Sequence, residues 1–331
     1  MASLSEWVAG TRPRTLPMAV CPVLIGMAAA LGHSSGSGDW YAYAPLADLT
    51  YSPGSSGVVL PQIGAAMLAL VVALALQIGV NYANDYSDGV RGTDDVRVGP
   101  MRLTASGAAQ PHQVKRAAFI SFGIACLAGL GIVVMIQAWW LLPVGVVCVL
   151  AAWWYTGGKN PYGYLGLGEV MVFVFFGLVA TLGTAFAVAA ASELHGGGGH
   201  FPLLTASIGA ISHGLIASAL LMANNVRDIP TDREAGKMTL AVRLGQTRAR
   251  WGYAIMIGVA MAIPLALTLQ GPQSPWFLLV LLSWPLCIRP ITTMVRRPQL
   301  TRGPALIPVL QQTGTLGLAF AVSYSAALLL S

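Results

Sequence analysis

Two stretches of this sequence carry acids and amides at helical spacing: Asn81-Tyr82-Ala83-Asn84-Asp85-Tyr86-Ser87-Asp88-Gly89 and Asn224-Asn225-Val226-Arg227-Asp228-Ile229-Pro230-Thr231-Asp232. On a continuous helix Asn81, Asp85 and Asp88 share one face at i, i+4 and i+7. Asn224 and Asp228 repeat the i, i+4 step at one common offset, which hints at a duplicated helix-end motif. Pro230 threatens the helix before Asp232, so that third position is the less secure one. Carboxylates one helical turn apart repel, and desolvation at a membrane boundary disfavours their charged form further. A divalent cation relieves both problems. Oxygen-only ligands suit Mg²⁺, which keeps substrate phosphate or water in its shell. A solvated loop whose acids pair with its arginines is the bland alternative; the repetition in two loops favours the metal.

Cations give the metal a purpose. Arg91, Arg97 and Arg102 follow the first cluster, and Arg227, Arg233, Lys237 and Arg243 flank the second. Arginine grips phosphate oxygens in a bidentate fork, and lysine adds a point charge. Acids, Mg²⁺ and arginines together are the means of holding a polyphosphate.

The elements that position these residues are membrane spans. The chain has 331 residues, 56% hydrophobic and 9% charged, with a mean hydropathy of +0.69. Soluble domains carry about 25% charged residues, so the bilayer must be the solvent. The four cysteines have no metal or redox spacing and read as apolar fillers. Nine runs are long enough to cross: 15–33, 60–84, 114–136, 138–156, 166–191, 203–226, 249–270, 275–293 and 305–330, with a tight turn near Gln137 between the third and fourth. All 18 Lys and Arg fall before span one or in the loops after spans two, four, six and eight. That partition puts the N-terminus and those loops in the cytoplasm and the C-terminus outside. Seven acids share the two large cytoplasmic loops, while the Gly- and Ser-rich segment 33–59 and the stretch Gly196–Gly199 read as external loops. His213, inside span six, suits a helix–helix hydrogen bond. Glu169, at the start of span five, is costly there and must be functional or paired, with Lys159 as a candidate partner.

With these residues the sequence resembles the UbiA superfamily of intramembrane aromatic prenyltransferases, most closely its 1,4-dihydroxy-2-naphthoate branch in actinobacterial form. The similar segments are Arg12 to Pro17 (RPRTLP), Asn81 to Asp95, Arg97 to Pro100 (RVGP), Tyr155 to Lys159 (YTGGK), Gly163 to Glu169 (GYLGLGE) and Asn224 to Gly245. Many superfamily members carry a third acid where this chain has Gly92, with acids reappearing at Asp94 and Asp95. The resemblance implies an all-α integral membrane protein: one domain over 1–331, with nine helices around a central cavity. Loops 85–113 and 227–248 would cap its cytoplasmic mouth. It implies Mg²⁺-dependent transfer of a prenyl group from a polyprenyl diphosphate to 1,4-dihydroxy-2-naphthoate, with loss of CO₂, in menaquinone synthesis at the bacterial plasma membrane. The expected partners are these two substrates and membrane lipid, with no nucleic acid.

In that chemistry Asp85, Asp88, Asp228 and Asp232, completed by Asn84 and Asn224, bridge Mg²⁺ and diphosphate as the C–O bond breaks. Arg97, Arg102, Arg227 and Lys159 hold the departing diphosphate. Tyr155, Tyr162, Phe173, Phe175 and Phe176 are candidate ring faces for the allyl cation, and Tyr155, Tyr162 and Glu169 candidate acceptor-side residues. The identity of the base is left open. Rival readings are a superfamily enzyme acting on 4-hydroxybenzoate or homogentisate, and a divalent-cation transporter. The latter needs ionisable groups near mid-membrane, whereas these acids gather at one face.

Overall fold

In the computed structural model, residues 2–32, 60–92, 102–194, 201–269, 274–296 and 303–331 are described. The expected external loop 33–59, the stretch Gly196–Gly199, and Asp94, Asp95 and Arg97 lie outside them. The described residues are all-helical, without strands.

The helices are α1 (Leu4–Gly10), α2 (Pro17–Gly32), α3 (Leu60–Val90), α4 (Pro111–Ile136), α5 (Leu141–Trp154), α6 (Gly168–Leu194), α7 (Leu203–Glu234), α8 (Leu240–Leu269), α9 (Pro285–Arg296) and α10 (Gly303–Leu330). Six of them (α3, α4, α6, α7, α8 and α10) are each long and apolar enough to cross a membrane. Leu4–Thr15 with α2 and Pro275–Ser283 with α9 add two bent candidates, with breaks of 52° and 46°. Eight of the nine sequence runs fall on these six helices and two bent pairs, while the run 138–156 falls on α5, which has only 14 residues. That is about 21 Å of helix, against a hydrocarbon core of about 30 Å. The turn between α4 and α5 falls at Gln137, whose φ of 55° is left-handed.

Two lengths matter for function. α3 has 31 residues and α7 has 32, so each is about 46–48 Å long and outreaches the hydrocarbon. Both overhangs carry acidic motifs. Pro230 does not end α7, which runs through it to Glu234. Proline removes one helical N–H and crowds the preceding turn, yet neighbouring structure in a membrane bundle can re-satisfy the freed carbonyl. Asp228 and Asp232 are therefore one turn apart on one helix.

α2 packs against α3, α6, α7 and α10, and α7 lies along α8 and α6. One core joins α2, α7, α8 and α10, and a second joins α2, α3, α4 and α6. α6 opens into a π-helical stretch, Phe173–Val179, just after Glu169. Such widened turns recur at functional sites. There α6 and α7 approach at glycines: a Cβ on Gly177 would lie 2.7 Å from Gly214 Cα, the close contact small residues permit in membrane helices. His213 is buried with Nε2 3.1 Å from the Met18 carbonyl, a bond between α7 and α2.

Candidate active site

The overhang of α3 buries its acids: Asp85 is 1% exposed and Asp88 2%. Carboxylates are buried at such depth only when paired or hydrogen-bonded. Asp85 accepts from the amides of Leu103 (2.7 Å) and Thr104 (2.8 Å), which ties the segment after Arg102 back onto α3. Asp88 accepts from the Tyr164 hydroxyl at 2.6 Å. Arg102 Nη2 stands 3.8 Å and Lys237 Nζ 3.9 Å from its other oxygen. Lys237 lies in the turn directly after α7. Its approach to Asp88 brings the segment after α7 against the acidic end of α3.

Tyr164 organises this junction. Lys237 Nζ lies 4.9 Å and Arg91 Cζ 5.2 Å from its ring centroid, within cation–π range. Removing the hydroxyl with Tyr164→Phe deletes a hydrogen bond to a charged acceptor, worth about 1.5–3 kcal/mol. We expect turnover to fall about tenfold or more with the fold intact, as read by steady-state kinetics and thermal melting side by side.

The turn Tyr155–Lys159 is strapped to α3. Asn84 Oδ1 accepts from Thr156 Oγ1 at 2.7 Å, and the Arg91 guanidinium donates to the carbonyls of Thr156 and Gly158. Lys159 stands exposed beyond this strap. The Tyr155 and Tyr162 rings meet edge-on at 5.5 Å, with the Tyr162 hydroxyl donating to the Ala151 carbonyl at 2.7 Å. Asn81 turns away from the acids: its Nδ2 donates to the Thr11 carbonyl at 2.8 Å and reaches Thr15 Oγ1 at 3.3 Å, pinning the N-terminal turn.

On α7, Arg227 closes a bidentate fork on its neighbour Asp228, with Nε–Oδ1 and Nη2–Oδ2 both 2.7 Å. Both side chains are buried, as is Asp232, while Asn224 is half-buried. Asn225, not singled out in the sequence, donates to Glu169 Oε1 at 2.9 Å. Glu169 therefore pairs with an amide on α7 and not with Lys159. The reason is packing: α6 lies along α7, whereas Lys159 is exposed. Tyr164, Thr156 and Asn225 were missed by spacing arguments because each acts across helices, although all three fall in segments that carry the family resemblance.

Mg²⁺ fits this donor set. The available ligands are carboxylate and amide oxygens, buried at one end of the bundle beside cations that suit phosphate. Among the described residues no three acids, histidines or cysteines lie close enough to form a metal group alone. Mg²⁺ does not require one, since it takes one or two carboxylates together with substrate phosphate.

The fold defines a multi-pass α-helical membrane protein in which two long helices, α3 and α7, end in buried acids flanked by cations. The chain belongs to the UbiA prenyltransferase family, which matches residues 19–307. It is 43% identical over 329 residues to a 1,4-dihydroxy-2-naphthoate octaprenyltransferase of Mycobacterium tuberculosis, covering 99% of this chain and 98% of that protein. The Escherichia coli protein of the same name is 33% identical, covering 93% and 89%. Among solved structures, a UbiA homolog from Archaeoglobus fulgidus bound to DMAPP and Mg²⁺ aligns with a TM-score of 0.55 at 14% identity, covering 98% of each chain. The apo structure of a UbiA homolog from Aeropyrum pernix K1 aligns at 0.59, also at 14% identity, covering 99% and 98%. These two likenesses concern the fold.

Proposed function

We propose that this protein transfers a polyprenyl group from its diphosphate to 1,4-dihydroxy-2-naphthoate with loss of CO₂, yielding the demethylmenaquinone skeleton in menaquinone synthesis. The observation that carries the chemistry is the junction at Asp88, where Tyr164 and Arg102 converge with Lys237, three residues past the end of α7. The acceptor is supported by the near-full-length likeness to the mycobacterial enzyme.

In this reading the chain is one domain over 1–331 with nine crossings, α5 being a short ninth. Its N-terminus is cytoplasmic, its C-terminus is outside, and the acidic mouth opens to the cytoplasm. Asp85, Asp88, Asp228 and Asp232, with Asn84 and Asn224, hold Mg²⁺. A divalent ion held by these residues would supply charge neutralisation for the departing diphosphate. Arg97, Arg102, Arg227 and Lys159 grip the leaving diphosphate, Lys159 closing over it from its exposed turn. The ring faces of Tyr155 and Tyr162 flank the allyl cation, and the apolar bundle keeps water from it.

The test is product mass. Purified protein given dihydroxynaphthoate, a polyprenyl diphosphate and Mg²⁺ should release a prenylated product lacking the carboxyl group. A product retaining the carboxylate, or none, would overturn the acceptor assignment. Chelation with EDTA should reduce turnover to background and added Mg²⁺ restore it; full activity under EDTA contradicts the metal role.

A further inference from the structure

We propose that Glu169 is the base that removes the acceptor's hydroxyl proton, and therefore that the acceptor's ring oxygen docks at the start of α6. This rests on the prenyl-transfer reading above and deepens it.

Prenyl transfer to a phenolic ring needs a proton acceptor. As the ring O–H breaks, its electron pair moves through the ring into the new C–C bond. The allylic C–O bond breaks ahead of that attack, its pair leaving with the diphosphate. The carboxylate on the attacked ring carbon then departs as CO₂, its bonding pair returning to the ring, whose ketone oxygen takes up a proton. The motif carboxylates are engaged otherwise. Both oxygens of Asp85 accept backbone amides, both of Asp228 are forked by Arg227, and Asp88 faces Tyr164, Arg102 and Lys237. Glu169 differs. It is 4% exposed, its Oε1 accepts from Asn225, and its Oε2 is buried with no hydrogen-bond partner. A buried carboxylate oxygen without a donor is rare and costly; a substrate hydroxyl supplies that donor.

The residue is also held still, beside Tyr155. The Ser218 hydroxyl donates to the Glu169 carbonyl at 2.8 Å, fixing the backbone on α7. A Cβ on the preceding Gly168 would lie 3.6 Å from the Tyr155 hydroxyl. The Tyr155 ring in turn meets the Tyr162 ring edge-on at 5.5 Å. Tyr155 thus stands beside the start of α6, next to the proposed base. From α7 the groups facing Glu169 are the uncharged Ser218 and Asn225, and Tyr155, with Tyr162 against its ring, is the titratable group beside it.

The test is Glu169→Gln, which keeps the acceptor for Asn225 but accepts no proton. General-base catalysis contributes about 10²–10⁴-fold, so kcat with dihydroxynaphthoate should fall at least about 100-fold at neutral pH. Binding of a non-hydrolysable prenyl diphosphate analogue should stay within about twofold. The loss should shrink as pH rises toward the acceptor's own ionisation, near the pKa of about 10 of a simple phenol, because the ionised acceptor needs no base. Activity within about tenfold of wild type overturns the assignment, and so does a loss that pH does not relieve, which marks a structural role. Failure of the wild-type protein to prenylate the naphthoate would instead defeat the underlying functional reading, so the two failures are distinguishable.

Discussion

Asp88→Asn is expected to lower kcat/KM by about 10³-fold, which corresponds to about 4 kcal/mol of lost transition-state stabilisation, while the protein still folds, with a lower melting temperature because Arg102 loses a buried charge partner. The substitution is nearly isosteric. The amide oxygen still accepts from Tyr164, so the 2.6 Å contact that seats the Gly163–Glu169 segment survives. What is lost is the negative charge facing Arg102 and Lys237 at 3.8 and 3.9 Å. Without it a divalent ion loses one anionic ligand, and the two cations lose what holds them at the junction. Asp85 would be a poorer probe, because its carboxylate also satisfies the amides of Leu103 and Thr104. Leaving two buried donors unsatisfied costs about 1–3 kcal/mol each, so a loss of activity there would mix chemistry with unfolding. Steady-state kinetics with Asp88→Asn, alongside a melting curve, separate the two; activity within about tenfold of wild type would remove Asp88 from the diphosphate grip.

The sequence made the spans and the acidic helix ends legible because both are written locally. Hydropathy runs of membrane length and i, i+4 spacing need only neighbours along the chain. The depth of α3 and α7 past the hydrocarbon follows from length alone. Pro230 was misleading because its helix-breaking tendency is a local average, whereas α7 is held on both sides by α6 and α8. The same limit explains Glu169. Its burial cost was visible, but its partner was not, since Asn225 is 56 residues away and reaches it only when α6 lies on α7. Tyr164 likewise meets Asp88 across 76 residues. Charge-pair reasoning on a linear chain looks for the nearest opposite charge and found Lys159; the folded chain offers a neutral amide on the helix it packs against.

The Arg227–Asp228 fork leads to the last prediction, in which two observables move in opposite directions. As folded, Asp228 has both oxygens occupied by Arg227. If Asp228 binds Mg²⁺ and Arg227 binds diphosphate, that fork must open when substrate arrives, and each partner exchanges the other for a stronger one. Arg227→Met keeps an apolar stem of similar reach and removes the fork. The variant should lose its diphosphate contact, and kcat/KM should fall about 10²–10³-fold, the scale of about 3–4 kcal/mol. Yet Mg²⁺ no longer has to displace a hydrogen bond to a charged group, worth about 1.5–3 kcal/mol. Mg²⁺ should therefore bind the diphosphate-free variant about tenfold or more tightly than it binds wild type, by calorimetry or by Mn²⁺ substitution. A buried pair broken on one side is also strongly destabilising, by about 3–5 kcal/mol, so the variant should melt earlier without metal. A ligand that binds only the folded state raises its stability, so Mg²⁺ should recover more of the melting temperature in the variant than it adds to wild type. If Mg²⁺ binds the variant more weakly, Arg227 does not compete with the metal for Asp228, and the fork is a fixed structural pair.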